Sequence, residues 1–289
     1  MLGRLKDFFE LTKPRINFLV LVTTAVGYSL AEPDVFLSAH LFWTLIGTGL
    51  TVGCANALNH CWERQTDALM KRTRDRPLPA GRMKPMEAFW FGIITGTAGI
   101  LILVYWVNIL SAGLALTAII SYVPLYTALK PVTSLSTLVG TIPGAIPPVI
   151  GWTAVTGSID FPAIVLFLIM FFWQPPHFLA LALYLKEDYR RANLSMLPVE
   201  MNEDISMRMM VLYTFFLMVI SFVPVLTGLS GPVYFYTAFV LGVLYFFISF
   251  YAWIGEKGTD QSWARGMFLF SVIHLPLLLG VLVWDRIAL

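Results

Sequence analysis

The sequence has few charged residues: Asp, Glu, Lys and Arg make up only 12% of its 289 residues. A soluble domain of this length carries about twice that fraction, so the composition excludes an ordinary soluble globular protein. Hydrophobic residues account for 58%, and the mean hydropathy is +0.76. No stretch has the composition of a separate soluble domain. The sequence therefore indicates a polytopic membrane protein with a single transmembrane domain over residues 1–289.

Cysteine is rarer still, and the two present, Cys54 and Cys61, are seven positions apart near the predicted cytoplasmic end of one apolar segment. A disulfide along one helix has poor geometry, and the cytoplasmic side is reducing. We therefore expect both cysteines to be packing residues.

Hydropathy predicts nine membrane-spanning helices, each close to the roughly 20 residues that cross a bilayer. The predicted fold class is an all-α membrane bundle, and the lipid bilayer is its surroundings. The predicted spans are 16–31, 38–60, 86–106, 109–129, 134–155, 162–185, 209–228, 232–254 and 265–284.

Positive charge predicts the orientation of this bundle. With a cytoplasmic N-terminus and an external C-terminus, every Lys and Arg except Arg286 falls in a cytoplasmic segment, as the positive-inside rule requires. The net charge of +2 reflects this topology, and the basic loops face lipid headgroups, so no nucleic-acid partner is expected. The short segment before the first span lacks an Arg/Ser-rich presequence, which favours a bacterial inner membrane over a mitochondrial one.

An amide and two carboxylates follow one another at helical spacing where the second span ends. Asn59, Glu63 and Asp67 are at i, i+4 and i+8, so on a helix they share one face. Carboxylates at the edge of a hydrocarbon layer need a neutralising partner, although a helix end with ordinary solvated polar residues is the simpler alternative. Because Mg²⁺ prefers oxygen ligands and bridges carboxylates to phosphates, we predict catalytic and metal-binding roles for all three.

A cluster of cations follows this motif directly and suits a diphosphate. On an extended loop, alternate residues share a face and could grip phosphate oxygens, whereas the alternative for each cation is a solvated charge that sets topology. The predicted substrate-binding cations are Lys71, Arg72, Arg74 and Arg76.

A second polar cluster ends the sixth span and provides a candidate half-site opposite the first. Asp188 and Lys186 are predicted catalytic residues. Asp188 is a candidate ligand for a second Mg²⁺, and Lys186 and Arg190 are candidates for phosphate binding. Tyr184 and Tyr189 are predicted substrate contacts. Mixed charges at a helix end are common, so this cluster indicates a binding site only in combination with the first cluster.

Two spans carry prolines that remove helix donors and predict kinks. The fifth contains Pro143, Pro147 and Pro148. The sixth contains Trp173-Gln174-Pro175-Pro176-His177-Phe178, in which Gln174 and His177 are polar groups inside a span and are predicted to bind substrate. The alternative is a packing kink with a hydrogen-bonded histidine.

These stretches resemble the UbiA superfamily of intramembrane prenyltransferases, whose motif N-x-x-x-D-x-x-x-D follows the second helix. The sequence is similar in particular to the superfamily's haem-farnesylating members. The matching stretches are 11–15 (LTKPR), 67–78, 173–178 (WQPPHF), 186–189 (KEDY) and Met196-Leu197-Pro198. Glu63 and Tyr184 stand where the superfamily motifs have Asp, which leaves open whether Glu63 binds metal directly or through water.

The resemblance implies nine helices around a cavity that opens laterally to lipid. It implies that farnesyl diphosphate, haem B and water give haem O and diphosphate, with Mg²⁺ as cofactor and a haem A synthase as a candidate partner. His177 would then contact haem iron or a propionate. The alternatives are a related prenyltransferase acting on an aromatic quinone precursor and, from a different class, a secondary transporter.

Overall fold

The computed structural model describes residues 2–33, 38–192, 203–255 and 260–288, which form an α-helical bundle. Met196, Leu197, Pro198 and Lys257 lie outside the described residues. The helices are α1 (Leu2–Leu11), α2 (Pro14–Ala31), α3 (Ala39–Leu69), α4 (Pro85–Trp106), α5 (Ile109–Ile120), α6 (Ser136–Val139), α7 (Thr141–Thr156), α8 (Phe161–Tyr184), α9 (Lys186–Arg191), α10 (Glu203–Ile220), α11 (Val223–Leu226), α12 (Pro232–Ile254) and α13 (Gln261–Ile287).

The membrane bundle predicted from hydropathy is confirmed. Eight described helical segments are long and apolar enough to cross a membrane, and each coincides with one of the predicted spans. The remaining predicted span, 16–31, is α2, in which Arg15 and Asn17 make the first turn polar. The predicted bounds differ from the observed ones mainly at α3, which continues to Leu69 rather than ending at residue 60.

Helices α2 and α7 cross at backbone contact because each carries a glycine at the crossing. A Cβ on Gly27 would lie 1.9 Å from the carbonyl oxygen of Pro148, and one on Gly151 would lie 1.9 Å from that of Thr24. Small residues at such crossings are how membrane helices approach closely without a hydrophobic driving force. This crossing fixes the C-terminal half of α2 against α7.

Irregular backbone occurs at Gly140, in the predicted fifth span, and also in the segment before that span. Helices α7 and α8 run without interruption through Pro147–Pro148 and Pro175–Pro176. Instead, α5 continues as a π-helix over Ser121–Thr127, and Gly140 separates α6 from α7. Single π-helical turns inside α-helices are frequent at functional sites.

Candidate functional site

The stripe Asn59–Glu63–Asp67 is buried on one face of α3. The three residues are 1%, 9% and 1% exposed. Each has a cation of its own drawn from a different part of the chain, namely Lys13, Lys130 and Arg76. The predicted alignment along one helix face is therefore observed, and the neutralising partners that buried carboxylates require are present.

Lys13 reaches the stripe from the junction between α1 and α2. Its Nζ donates to Asn59 Oδ1 at 2.8 Å and to the Tyr122 hydroxyl at 3.4 Å. Its backbone has φ = 48°, the left-handed region that non-glycine residues seldom adopt. Burial of the ammonium, followed by repulsion from Arg76, lowers the pKa of Lys13 to about 7. An additional anion beside this ammonium would be stabilising.

The π-helical turn brings hydroxyl and aromatic groups to the same place. Asn59 Nδ2 donates to Thr127 Oγ1 at 3.1 Å, and Tyr122 and Tyr126 stack with ring centroids 5.5 Å apart. Just beyond this turn, Lys130 Nζ lies 2.9 Å from Glu63 Oε1 and 5.9 Å from the centroid of the Tyr126 ring. The π-helical turn therefore places Tyr122 and Tyr126 beside the stripe.

Asp67 ends the stripe and is only partly satisfied. Its Oδ2 accepts from Arg76 Nη1 at 2.7 Å, while its Oδ1 is buried and has no hydrogen-bond partner among the described residues. The hydroxyl of Thr73 donates to the Asp67 backbone carbonyl at 2.8 Å and folds the following segment back over the helix end. An unpartnered buried carboxylate oxygen is a position at which a cation would be stabilised.

The segment after Asp67 differs from the extended loop considered above. Residues 70–83 form successive turns, with bonds such as Arg74 N to Met70 O and Arg76 N to Thr73 O. Arg76 therefore points to the stripe, while Lys71, Arg72 and Arg74 are exposed. The three arginines do not share a face, because turns rotate successive side chains away from one another.

The donor set fits a magnesium ion only if the substrate completes its coordination. Among the described residues, no three His, Cys, Asp or Glu side chains come together as a metal site. Glu63 and Asp67 nevertheless lie one helical turn apart and provide carboxylate oxygens, which are ligands that Mg²⁺ prefers. The Oδ1 atom of Asp67 has no hydrogen-bond partner among the described residues. Mg²⁺ usually binds through one or two carboxylates plus phosphate oxygens, so the residues fit a substrate-bridged ion.

The second predicted half-site is divided by the break between α8 and α9. Tyr189 is buried and packs with Met70, directly after the end of the stripe helix. Lys186 pairs with Glu203, and Arg190 pairs with Glu187 at 2.6 Å on the surface. Asp188 lies 3.6 Å from Arg191, and Tyr184 is partly buried with its carbonyl accepting from Gln261. Of these residues, Tyr189 is the one that contacts the region of the stripe.

The proline-rich part of α8 places Gln174 and His177 in different surroundings. Gln174 Nε2 donates to the carbonyls of Thr141 and Met170, both at 3.0 Å, so its amide holds α8 against α7. That arrangement favours a packing role over the predicted substrate contact. His177 is partly buried, stacks on Trp173 with centroids 4.6 Å apart, and forms a hydrogen bond through Nδ1 to Ser271 Oγ at 2.7 Å.

Sequence reasoning missed two of the three cations that neutralise the stripe. The sequence places Lys13 only among the topology charges and in the family-like stretch 11–15, and Lys130 only among the topology charges, although each directly precedes a proline. A residue before proline is biased away from helical backbone, so a Lys-Pro pair marks a helix boundary with a cation. The Lys-Pro pairs at 13–14 and 130–131 were the sequence signal that could have identified these two cations. The other missed residues are Tyr122, Tyr126 and Thr127.

The bundle, the buried amide–carboxylate stripe and its ring of cations define the class of the protein. Residues 20–272 match the model of the UbiA prenyltransferase family, and the chain belongs to that family. Curated relatives named Protoheme IX farnesyltransferase extend over nearly the whole chain. The relative from Myxococcus xanthus is 45% identical, with 97% of this chain and 95% of the relative covered. That from Sorangium cellulosum is 46% identical, with 85% and 87% covered.

Solved structures share the fold at low sequence identity. A digeranylgeranylglyceryl phosphate synthase aligns with a TM-score of 0.83 and 17% identity, covering 99% of this chain and 100% of that one. A UbiA homologue from Archaeoglobus fulgidus, bound to GPP and Mg²⁺, aligns with a TM-score of 0.69 and 18% identity, covering 96% and 99%. These structures confirm the predicted fold, and the family model with the curated relatives confirms the predicted family.

Proposed function

We propose that this protein transfers a farnesyl group from farnesyl diphosphate to a vinyl group of haem B, with addition of water, to give haem O and diphosphate. The observation that carries the proposal is the similarity over nearly the full chain to relatives named Protoheme IX farnesyltransferase, at 39–46% identity. The buried stripe with its cations supports a diphosphate substrate. The stacked aromatic surroundings of His177 support a large, flat acceptor.

The cations around the stripe have the chemistry needed to bind and stabilise a leaving diphosphate. Lys13, Lys130 and Arg76 converge on α3 from three segments, and their charges act in a largely buried site where electrostatic interactions are strong. As the bond from C1 of the farnesyl group to oxygen breaks, negative charge grows on the diphosphate. Preorganised ammonium and guanidinium groups lower that barrier.

The predicted metal ligands enter the proposal as residues that would hold Mg²⁺ together with the diphosphate. Asn59, Glu63 and Asp67 supply oxygen atoms, and Asp67 Oδ1 is the one without a partner. A UbiA homologue bound to GPP and Mg²⁺ supports this choice of ion. When bound, Mg²⁺ would supply positive charge to the departing diphosphate. Asp188 remains a candidate for a second ion.

The acceptor would occupy the space lined by the aromatic side chains, which shelter the allylic cation from water. The vinyl group forms a carbon–carbon bond to C1 of the farnesyl cation, water adds to the resulting porphyrin-side cation, and a proton leaves. No covalent enzyme intermediate is needed. In this scheme the tyrosines of the π-helical turn, Tyr122 and Tyr126, line the side of the donor.

The remaining substrate contacts and the membrane location are proposed from the charges of the residues and from the family. The anionic donor is proposed to be guided or covered by two groups of side chains. The first group is Tyr184, Lys186, Tyr189 and Arg190, and the second is the exposed Lys71, Arg72 and Arg74. We propose a bacterial inner membrane as the location, and the distribution of Lys and Arg supports an orientation with the N-terminus and the stripe on the cytoplasmic side. A haem A synthase is a candidate partner that would take up the product.

The proposal is tested by incubating the purified protein with haem B, farnesyl diphosphate and Mg²⁺ and extracting the pigment for mass spectrometry. A product heavier than haem B by one farnesyl group and the elements of water, less one hydrogen, is expected. Unchanged haem from folded protein that still binds farnesyl diphosphate would contradict the proposal and direct attention to aromatic quinone precursors as acceptors.

A further inference from the structure

The imidazole of His177 is held in a fixed orientation between α8 and α13. Trp173 stacks on the ring with an interplanar angle of 23°, and Phe268 lies near it with centroids 4.8 Å apart. The Nδ1 atom is 2.7 Å from the hydroxyl oxygen of Ser271, which is fully buried. Rotation of the ring about its side-chain bonds would break this hydrogen bond and the stacking on Trp173.

The hydrogen bonds of Ser271 determine which nitrogen of His177 carries the proton. A serine hydroxyl has one proton to donate, and Ser271 Oγ donates to the backbone carbonyl of Phe268, which can only accept. With that proton on the Phe268 carbonyl, Ser271 Oγ accepts from His177, which places a proton on Nδ1. In the neutral ring this leaves the lone pair on Nε2. That atom forms no hydrogen bond to any described residue.

We infer that Ser271 is a positioning residue that holds His177 in the tautomer with the proton on Nδ1, so that Nε2 coordinates the iron of the haem acceptor. The inference rests on the proposed function and names the atom that would contact the haem acceptor. A metal-binding histidine characteristically donates its other ring N–H to an oxygen acceptor, which fixes the tautomer and raises the basicity of the ligating nitrogen.

The same hydrogen bonds decide between the two contacts considered for His177. A haem propionate only accepts hydrogen bonds, whereas a neutral ring protonated on Nδ1 offers a lone pair and no proton at Nε2. Iron has the complementary requirement, because it binds a neutral imidazole through its lone pair. The tautomer therefore favours iron.

Replacing Ser271 by alanine isolates the contribution of its hydroxyl. Trp173 Nε1 donates to the backbone carbonyl of Ser271 at 3.0 Å, and that bond survives the substitution. The stacking surface for His177 is thus retained in Ser271→Ala. Ser249→Ala is a matched control, because Ser249 is also fully buried and donates to a carbonyl of its own helix, at Tyr245, without contacting a histidine.

The first experiment titrates full-length protein with haem B in the absence of farnesyl diphosphate. The dissociation constant is followed by absorption, and the axial ligand by electron paramagnetic resonance of the ferrous nitrosyl complex. Wild type is expected to show splitting from an axial imidazole nitrogen, which His177→Ala loses. Ser271→Ala should weaken haem binding by about 10- to 100-fold. Ser271→Thr and Ser249→Ala should bind haem like wild type, and farnesyl diphosphate affinity should be unchanged throughout.

The second experiment repeats the titration with iron-free protoporphyrin IX, which carries the same propionates but offers no axial site. His177→Ala and Ser271→Ala should bind it as wild type does. Equal weakening for both porphyrins would overturn the inference in favour of a propionate contact. A wild-type spectrum without an axial nitrogen, from protein that still farnesylates haem, would overturn the inference alone. Failure of wild type both to bind and to farnesylate haem would instead overturn the proposed function.

Discussion

The ammonium of Lys130 lies 2.9 Å from the carboxylate of Glu63, although 67 positions separate the two residues in the chain. Their side chains are only 11% and 10% exposed. Removing charged groups from water is costly, and each group here offsets that cost for the other. This pair connects the end of the π-helical turn to the stripe of α3.

Removing one partner of this pair should destabilise the protein. Lys130→Met leaves the Glu63 carboxylate buried without its cation, and such losses cost about 3–5 kcal/mol. The double variant Glu63→Gln/Lys130→Met should recover most of the stability because no charge is left unpaired. Thermal unfolding in detergent measures both, and farnesyl transfer should be absent from both variants if Lys130 binds diphosphate.

The exposed pair between Arg4 and Glu87 is the control for that series. Arg4→Met should leave the unfolding temperature nearly unchanged, because solvent screens exposed ion pairs. If Lys130→Met were as stable as Arg4→Met, the buried pair would not have the energetic importance assigned to it.

Asp67→Asn should abolish magnesium-dependent turnover. The protein should remain folded, because Arg76 is 22% exposed and water can solvate its charge once the carboxylate is removed. The change preserves the size of the side chain but removes the charge that faces Arg76 and, at Oδ1, the expected metal. A reduction of at least about 100-fold is expected from losing such electrostatic stabilisation. Asp75→Asn is the control, since Asp75 is 86% exposed in the same turn segment. Initial rates at several Mg²⁺ concentrations distinguish weaker metal binding from slower chemistry, and comparable rates for the two variants would contradict the assignment.

Chelation of divalent cations should reversibly stop the reaction in wild type. The described residues do not form a complete metal cage, so bound Mg²⁺ should depend on the diphosphate. Isothermal titration should therefore detect Mg²⁺ binding only when farnesyl diphosphate or a non-hydrolysable analogue is present. Tight binding of Mg²⁺ to the protein alone would argue for a preformed site.

Substitutions of Lys13 separate its charge from its backbone strain. Lys13→Ala and Lys13→Gly both lose the ammonium that contacts Asn59, so both should bind farnesyl diphosphate weakly. The glycine variant should nevertheless be the more stable, by about 1 kcal/mol, because φ = 48° costs energy in any residue with a Cβ. Equal stability of the two variants in thermal unfolding would show that the strain is not significant.

Alanine at the α2–α7 crossing should prevent folding. A methyl group at Gly151 would lie 1.9 Å from the backbone oxygen of Thr24, and backbone cannot move aside as a side chain can. Gly113→Ala, in α5, meets nothing within 4 Å and should be neutral or stabilising by up to about 1 kcal/mol. Size-exclusion profiles of the two variants compare the outcomes directly, and a monodisperse Gly151→Ala protein would refute the close contact.

Features with a local period were predictable from the sequence. The spacing of Asn59, Glu63 and Asp67 places them on one face because a helix has 3.6 residues per turn, whatever surrounds it. Interpretations that depended on loop conformation were less successful. Arg72, Arg74 and Arg76 would share a face on an extended loop, but the turns of residues 70–83 leave only Arg76 beside the stripe. Alternation along a loop carries no information about its backbone.

The sequence by itself determined the membrane bundle, the positions of its spans, the stripe on α3 and the family, because hydropathy, helical period and motif spacing are properties of neighbouring residues. Tertiary structure alone decided which cations neutralise that stripe. It also placed the amide of Gln174 between α8 and α7, and it brought Ser271, 94 positions away, to the imidazole of His177. Such contacts depend on how helices cross, and in this bundle the crossings depend on close backbone approaches, such as that at Gly151, which no local pattern encodes.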